Sequence, residues 1–175
     1  MFRLFLLCAL AALSAAKYTK LELDSCGGDG IRINEVDVSP MPVKFPGRLN
    51  VLIDADLTRP LNDKVKVKVS MWSKTWLGWI KNLLCIKNVG SCTYDLCELL
   101  ESQGGTCPKE VTDLGLSCTC PFKSTHVRYA LNNIELPPIP SALKIFADGD
   151  FWIKAEVFDS GKLVSCFDVK LTIES

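Results

Sequence analysis

The sequence is short of the groups on which most catalysis depends. Its 175 residues contain one histidine, His126, which belongs to no catalytic motif and reads as a structural or surface residue. No Gly-x-Ser-x-Gly elbow, phosphate-binding loop or metal-protease motif occurs, and no pair of carboxylates stands out as a glycosidase pair. Nothing supports an enzyme, and no cofactor or metal is implied. Charge of one sign is also missing: 20 Lys and Arg balance 20 Asp and Glu, which argues against a nucleic-acid binder. Beyond the N-terminus no apolar run is long enough to span a bilayer. Sustained helical periodicity, internal repeats and Asn-x-Ser/Thr sequons are all absent.

The N-terminus, by contrast, is distinctive. Arg3 precedes an apolar run, Leu4 to Leu13, and then the small residues Ser14-Ala15-Ala16. This order predicts a signal peptide over residues 1–16 and a mature domain over 17–175. The expected destination is the secretory route, ending outside the cell or in the lysosome. Loss of Arg3 leaves the mature chain about one unit negative. Of nine cysteines, Cys8 falls in the leader. The even remainder, Cys26, Cys85, Cys92, Cys97, Cys107, Cys118, Cys120 and Cys166, reads as a disulfide framework with about a hundred pairings open. Six crowd between Cys85 and Cys120, where regular periodicity is weak and cross-links replace a core. Zinc is disfavoured, because Cys118-Thr119-Cys120 is not a Cys-x-x-Cys knuckle and an exported chain favours disulfides.

Alternation predicts strands. Odd positions from Leu49 to Leu57 are apolar, and Lys64 to Met71 sets valines against lysines. The lysines Lys64, Lys66 and Lys68 read as a solvated face. Phe151 to Phe158, the turn Asp159-Ser160-Gly161-Lys162 and Leu163 to Ile173 form a hairpin. Weaker strands are expected over Ile31 to Val38 and His126 to Leu131. Prolines at 40, 42, 46, 60, 137, 138 and 140 mark loops and edges. The fold class that follows is all-β: a single-domain antiparallel sandwich or cup.

Two segments are too apolar for ordinary loops. Met71 to Lys81 carries Trp72, Trp76, Leu77, Trp79 and Ile80, with tryptophans spaced as on one face of a short helix. Leu136 to Ala147 is broken by prolines, yet carries Leu136, Ile139, Leu143, Ile145 and Phe146. Core packing accounts for any one of them. Together, beside Lys74, Lys81 and Lys144, they suit a membrane interface, where tryptophan is favoured and lysine meets anionic head groups.

The cysteine-rich block resembles a known family. Trp79-Ile80-Lys81, Cys85, Gly90-Ser91-Cys92-Thr93-Tyr94-Asp95-Leu96-Cys97, Cys107-Pro108, Gly115-Leu116 and Cys118-Thr119-Cys120-Pro121-Phe122-Lys123 are similar to the lysosomal ganglioside activators. Ile134-Glu135-Leu136-Pro137 and Ser160-Gly161-Lys162-Leu163 with Cys166 continue the likeness; Cys26 and Phe45-Pro46-Gly47 extend it more weakly. The resemblance implies a β-cup with an apolar lipid cavity, within the wider MD-2-like lipid-recognition group. It also implies the pairs Cys26–Cys166, Cys85–Cys92, Cys97–Cys120 and Cys107–Cys118. The implied activity is non-enzymatic: a glycolipid or phospholipid is extracted from a membrane surface and presented to a hydrolase such as β-hexosaminidase, or to an acceptor membrane. Two departures stand out. Without a sequon the glycan-dependent route to the lysosome is not carried over by the resemblance, and neither, given the longer loop after Leu136, is the head-group preference. Rival readings are a secreted carrier of a sterol or other small hydrophobe, and a protein-interaction module.

Overall fold

The computed structural model describes residues 17–82, 84–86, 89–101, 119–139 and 148–175. The expected leader 1–16, Cys107, Cys118, Leu143, Ile145 and Phe146 lie outside these residues.

The chain forms an all-β sandwich of two sheets. The larger runs in the order β1 (Glu22–Gly28), β12 (Lys162–Glu174), β11 (Gly149–Asp159), β5 (Val65–Thr75), β6 (Gly78–Asn82). Beside β12 lies the short parallel β3 (Val43–Lys44), and beside β5 lies β9 (Thr93–Asp95). The smaller sheet runs β10 (Thr125–Leu136), β4 (Gly47–Leu57), β2 (Ile31–Ser39), all antiparallel. Two further short strands, β7 (Cys85–Ile86) and β8 (Val89–Gly90), pair with each other. The single described helix, α1 (Leu96–Glu101), starts where Asp95 Oδ1 accepts a hydrogen bond from Glu98 N at 3.2 Å, an N-cap.

Alternation built the strands as expected, and burial follows it. Val65 is fully buried and Val67 and Val69 half-buried on the inner face of β5, while Lys66 and Lys68 stay exposed. The hairpin between β11 and β12 turns through Ser160 and Gly161, both with positive φ (50° and 79°), which suits a tight two-residue connection.

The sheets meet at one end. Leu61, Val65, Val157 and Val164 are buried there, with Ile31, Leu57, Val67, Leu96 and Phe122 packed against them. Backbone bonds seal the join: Gly30 N donates to Val164 O at 3.0 Å, and Leu61 and Phe122 exchange a pair at 2.9 and 2.8 Å. The approach requires glycine. A Cβ on Gly30 would lie 2.2 Å from Val164 Cγ1. Cys97–Cys120 ties α1 to the approach of β10, Cys26–Cys166 ties β1 to β12, and Cys85–Cys92 closes the β7–β8 hairpin. These are three of the four expected pairs; the fourth lies outside the described residues.

Candidate functional site

From the sealed end the small sheet extends with a largely apolar inner face. Its side chains fall in rows fixed by register: Ile33, Ala55 and Val127; Val36, Ile53 and Tyr129; Val38, Val51 and Leu131. Two β-bulges keep the rows in phase. One, between Ile33 and Glu35, adds Asn34 to β2; the other lies between Leu131 and Ile134 in β10. At the second, Asn133 has φ 63° and its N–H donates to Asn50 Oδ1 at 2.8 Å. Asparagine tolerates that left-handed conformation.

None of these row residues is buried. Most are half-buried, and Ile53, in the middle strand of the sheet, is 40% exposed. An apolar face flanked by a second sheet is normally covered. Here the described side chains leave it partly exposed, although each uncovered CH₂ forgoes about 0.8 kcal/mol.

The outer face of the same sheet shows the opposite. Asp54 is only 6% exposed, and its carboxylate accepts from Asn34 Nδ2 at 2.9 Å and Arg128 at 2.8 Å. Asp56 accepts from the same Asn34 nitrogen at 2.9 Å and lies 2.8 Å from His126 Nδ1. The Asn34 hydrogen bond is the main cause holding both carboxyls below the usual range; His126 contributes at each and Arg128 at Asp54. His126 thus sits in a polar network outside the cup.

The tryptophan-rich segment is not a loop. Residues 65–82 form a hairpin, β5–β6, in which Thr75 opposes Gly78 and only Trp76 and Leu77 make the turn. Its tip is bare, with Trp76 91% and Leu77 68% exposed. Thr75 Oγ1 pins the turn by donating to Gly78 O and accepting from Leu77 N. Trp72 and Trp79 lie in the strands, on the outer face of the large sheet. Trp72 stacks on Trp152 of β11 with centroids 4.3 Å apart, and Trp79 meets Trp152 edge-on at 6.3 Å. Lys81, Lys154 and Lys74 lie over Trp72, Trp152 and Trp79 respectively, each contact contributing roughly 0.5–1 kcal/mol where exposed. Sequence reading missed Trp152, because the pairing of β5 with β11 is what brings it in.

The ends of the strands define a mouth. β5 runs from the sealed end at Val65 to the hairpin tip, and β10 runs from Thr125, opposite Leu57, to Leu136, opposite Gly47. Trp76, Leu77 and exposed Ile80 therefore share one end of the molecule with half-buried Leu136 and Ile139. The remaining predicted lipid contacts lie outside the described residues. Among the described residues no group of three His, Cys, Asp or Glu stands ready to hold a metal ion, and no helix is long and apolar enough to cross a membrane.

This sandwich is the fold of a lipid-recognition class, and the family model for the ML domain matches residues 20–173. The chain belongs to that family and is an ML-domain lipid-binding protein. Among individual proteins it is similar to the ganglioside GM2 activator of Mus musculus, with 27% identity over 159 residues covering 86% of this chain and 80% of that one. The Macaca fascicularis ganglioside GM2 activator is also 27% identical, with 86% and 82% covered. A solved Niemann-Pick type C2 protein from Japanese carpenter ant superposes with a TM-score of 0.47 at 10% identity, covering 87% of this chain and 99% of that one.

Proposed function

We propose that this chain is a non-enzymatic lipid carrier, which takes acyl chains between its sheets and delivers the lipid to a hydrolase or an acceptor membrane. The observation that carries this reading is the incompletely buried apolar inner face of the small sheet, above all Ile53. A sixteen-carbon chain commits more than about 10 kcal/mol to staying out of water. Only another dry surface can accept it without that cost, and the three apolar rows provide one. The similarity to the ganglioside GM2 activators favours a glycolipid cargo and a glycosidase partner such as β-hexosaminidase. It also favours a secretory or lysosomal address, as do the disulfides.

Transfer begins at a bilayer. The bare tip, Trp76 and Leu77, enters the interface from one side of the mouth, with Leu136 and Ile139 on the other; tryptophan is favoured at that depth. Lys81, over the Trp72 ring on the same hairpin, meets anionic head groups. Because the tip residues are exposed, the double change Trp76→Ala with Leu77→Ala should leave the melting temperature within about 2 °C. Flotation with anionic phospholipid vesicles should fall at least about tenfold. Undiminished vesicle binding would remove the hairpin from the mechanism. The carrier reading itself is tested by organic extraction of protein purified from a eukaryotic secretory host, with native mass spectra. Co-purifying or vesicle-derived lipid at one per chain is expected, and a chain that takes up none would end the proposal.

A further inference from the structure

A cleft of about 480 Å³ lies beside the mouth, with its polar side chains on the outer face of the large sheet, where the hairpin tip meets the start of β11 and the end of β12. Its size is within the range of small-ligand pockets, but its walls are unlike the inner rows. Trp76 offers an indole face, and Lys74, Asp150, Thr172, Lys17 and Glu174 offer polar groups. Asp150 is 6% and Thr172 1% exposed. Thr172 Oγ1 donates to Asp150 Oδ1 at 2.6 Å and accepts from Tyr18 N at 2.8 Å, while Lys74 approaches Asp150 Oδ2 at 3.4 Å. These bonds fix the acceptors before any ligand arrives, and a carboxylate has room for further donors.

Charge then narrows the ligand. Asp148, Asp150 and Glu174 give three carboxylates against two lysines at the cleft, Lys17 and Lys74. Each of those lysines is already committed: Lys17 to Glu174 at 2.5 Å and Lys74 to Asp150. Hydrogen bonds from Ser175 hold Asp148 in its charged form, and that from Lys17 does the same for Glu174. A phosphate, sulfate or carboxylate head would find no unpaired cation and an excess of negative charge. A neutral, hydroxyl-rich ring fits: its C–H face stacks on Trp76, while its hydroxyls donate to carboxylate oxygens.

We infer that this cleft is a head-group site for an uncharged sugar, so that the carrier prefers neutral hexosyl lipids to anionic ones. The inference rests on the carrier reading and adds a specificity to it. Trp76 then serves twice, entering the interface and flooring the sugar. The acyl chains occupy the rows within the cup while the head lies over the rim.

The test uses water-soluble short-acyl lipids and isothermal calorimetry on the full chain, so that membrane docking plays no part. Four probes are compared: glucosylceramide, galactosylceramide 3-sulfate, ceramide and free methyl glucoside. Glucosylceramide should bind at least about tenfold more tightly than ceramide or the sulfated lipid, and methyl glucoside should not bind measurably. The separate changes Trp76→Ala and Asp150→Asn should bring the ratio of glucosylceramide to ceramide affinity towards one. Equal affinity for all three lipids in the wild type would overturn the head-group site and leave the carrier standing. Binding of methyl glucoside without any lipid, or of no probe at all, would overturn both.

Discussion

The sealed end and the mouth of the cup are built from the same sheets and obey different rules. At the sealed end Leu61, Val65, Val157 and Val164 lie at 0–7% exposure, and backbone bonds tie the connections there, Leu61 with Phe122 and Gly30 with Val164 of β12. Towards the mouth equally apolar side chains on the small sheet, such as Val36, Ile53 and Leu131, stay half-buried or exposed. On the small sheet burial is thus concentrated at one end, which frees the other to serve a ligand, whereas the large sheet buries Met71 and Phe151 towards the mouth as well. An apolar position on the small sheet is read by where it lies along the strand, not by its hydrophobicity.

The sharpest way to break that contrast is a pair of truncations. Leu61→Ala should cost about 2–5 kcal/mol in urea unfolding, whereas Ile53→Ala should cost under about 1 kcal/mol because little packing is lost. Equal losses would mean that both ends are ordinary core. A second change sharpens the functional side: Ile53→Asp should leave the chain folded yet lower lipid uptake from vesicles at least about tenfold, since a carboxylate would sit against acyl chain.

The smallest effect concerns acid. The folded Asp54 and Asp56 have lowered pKa values. Their contribution to stability is therefore complete above the ordinary carboxylate range, about pH 4 and higher. It is lost as pH falls through the lowered folded values. Mildly acidic conditions leave it in place. Asn34→Ala removes the main cause at both groups, so acid unfolding followed by circular dichroism should begin at a higher pH than in the wild type. An unchanged midpoint would show that Arg128 and His126 suffice.

How much of this could be read from the chain depends on periodicity. Strands with unbroken alternation, such as Leu49–Leu57 and Phe151–Phe158, were legible along with the all-β class. β2 and β10 looked weak because their bulges slip the alternation by one residue, at Asn34 and near Asn133; β10 in fact continues to Leu136. The apolar segment 71–81 was visible by composition, but not its hairpin geometry. A helix-like spacing of Trp72, Trp76 and Trp79 is also compatible with two strands joined by two residues. Contacts made across strands, such as Trp72 with Trp152 or Asn34 with both aspartates, depend on register, which no local pattern encodes. Position within the cup was likewise invisible: Val65 and Val69 look alike in sequence, yet only the first is sealed.

The bulge in β2 has a genetic counterpart. Asn34 is an extra residue that the pleat does not require: without it, Ile31, Ile33, Val36 and Val38 would alternate perfectly and Glu35 would still oppose Asp54. An in-frame loss of that one codon should therefore spare the inner rows while removing the side chain that binds two carboxylates. Most single-residue deletions within a strand turn its remaining side chains inside out. This one would be silent to the cup and felt only on its outer surface.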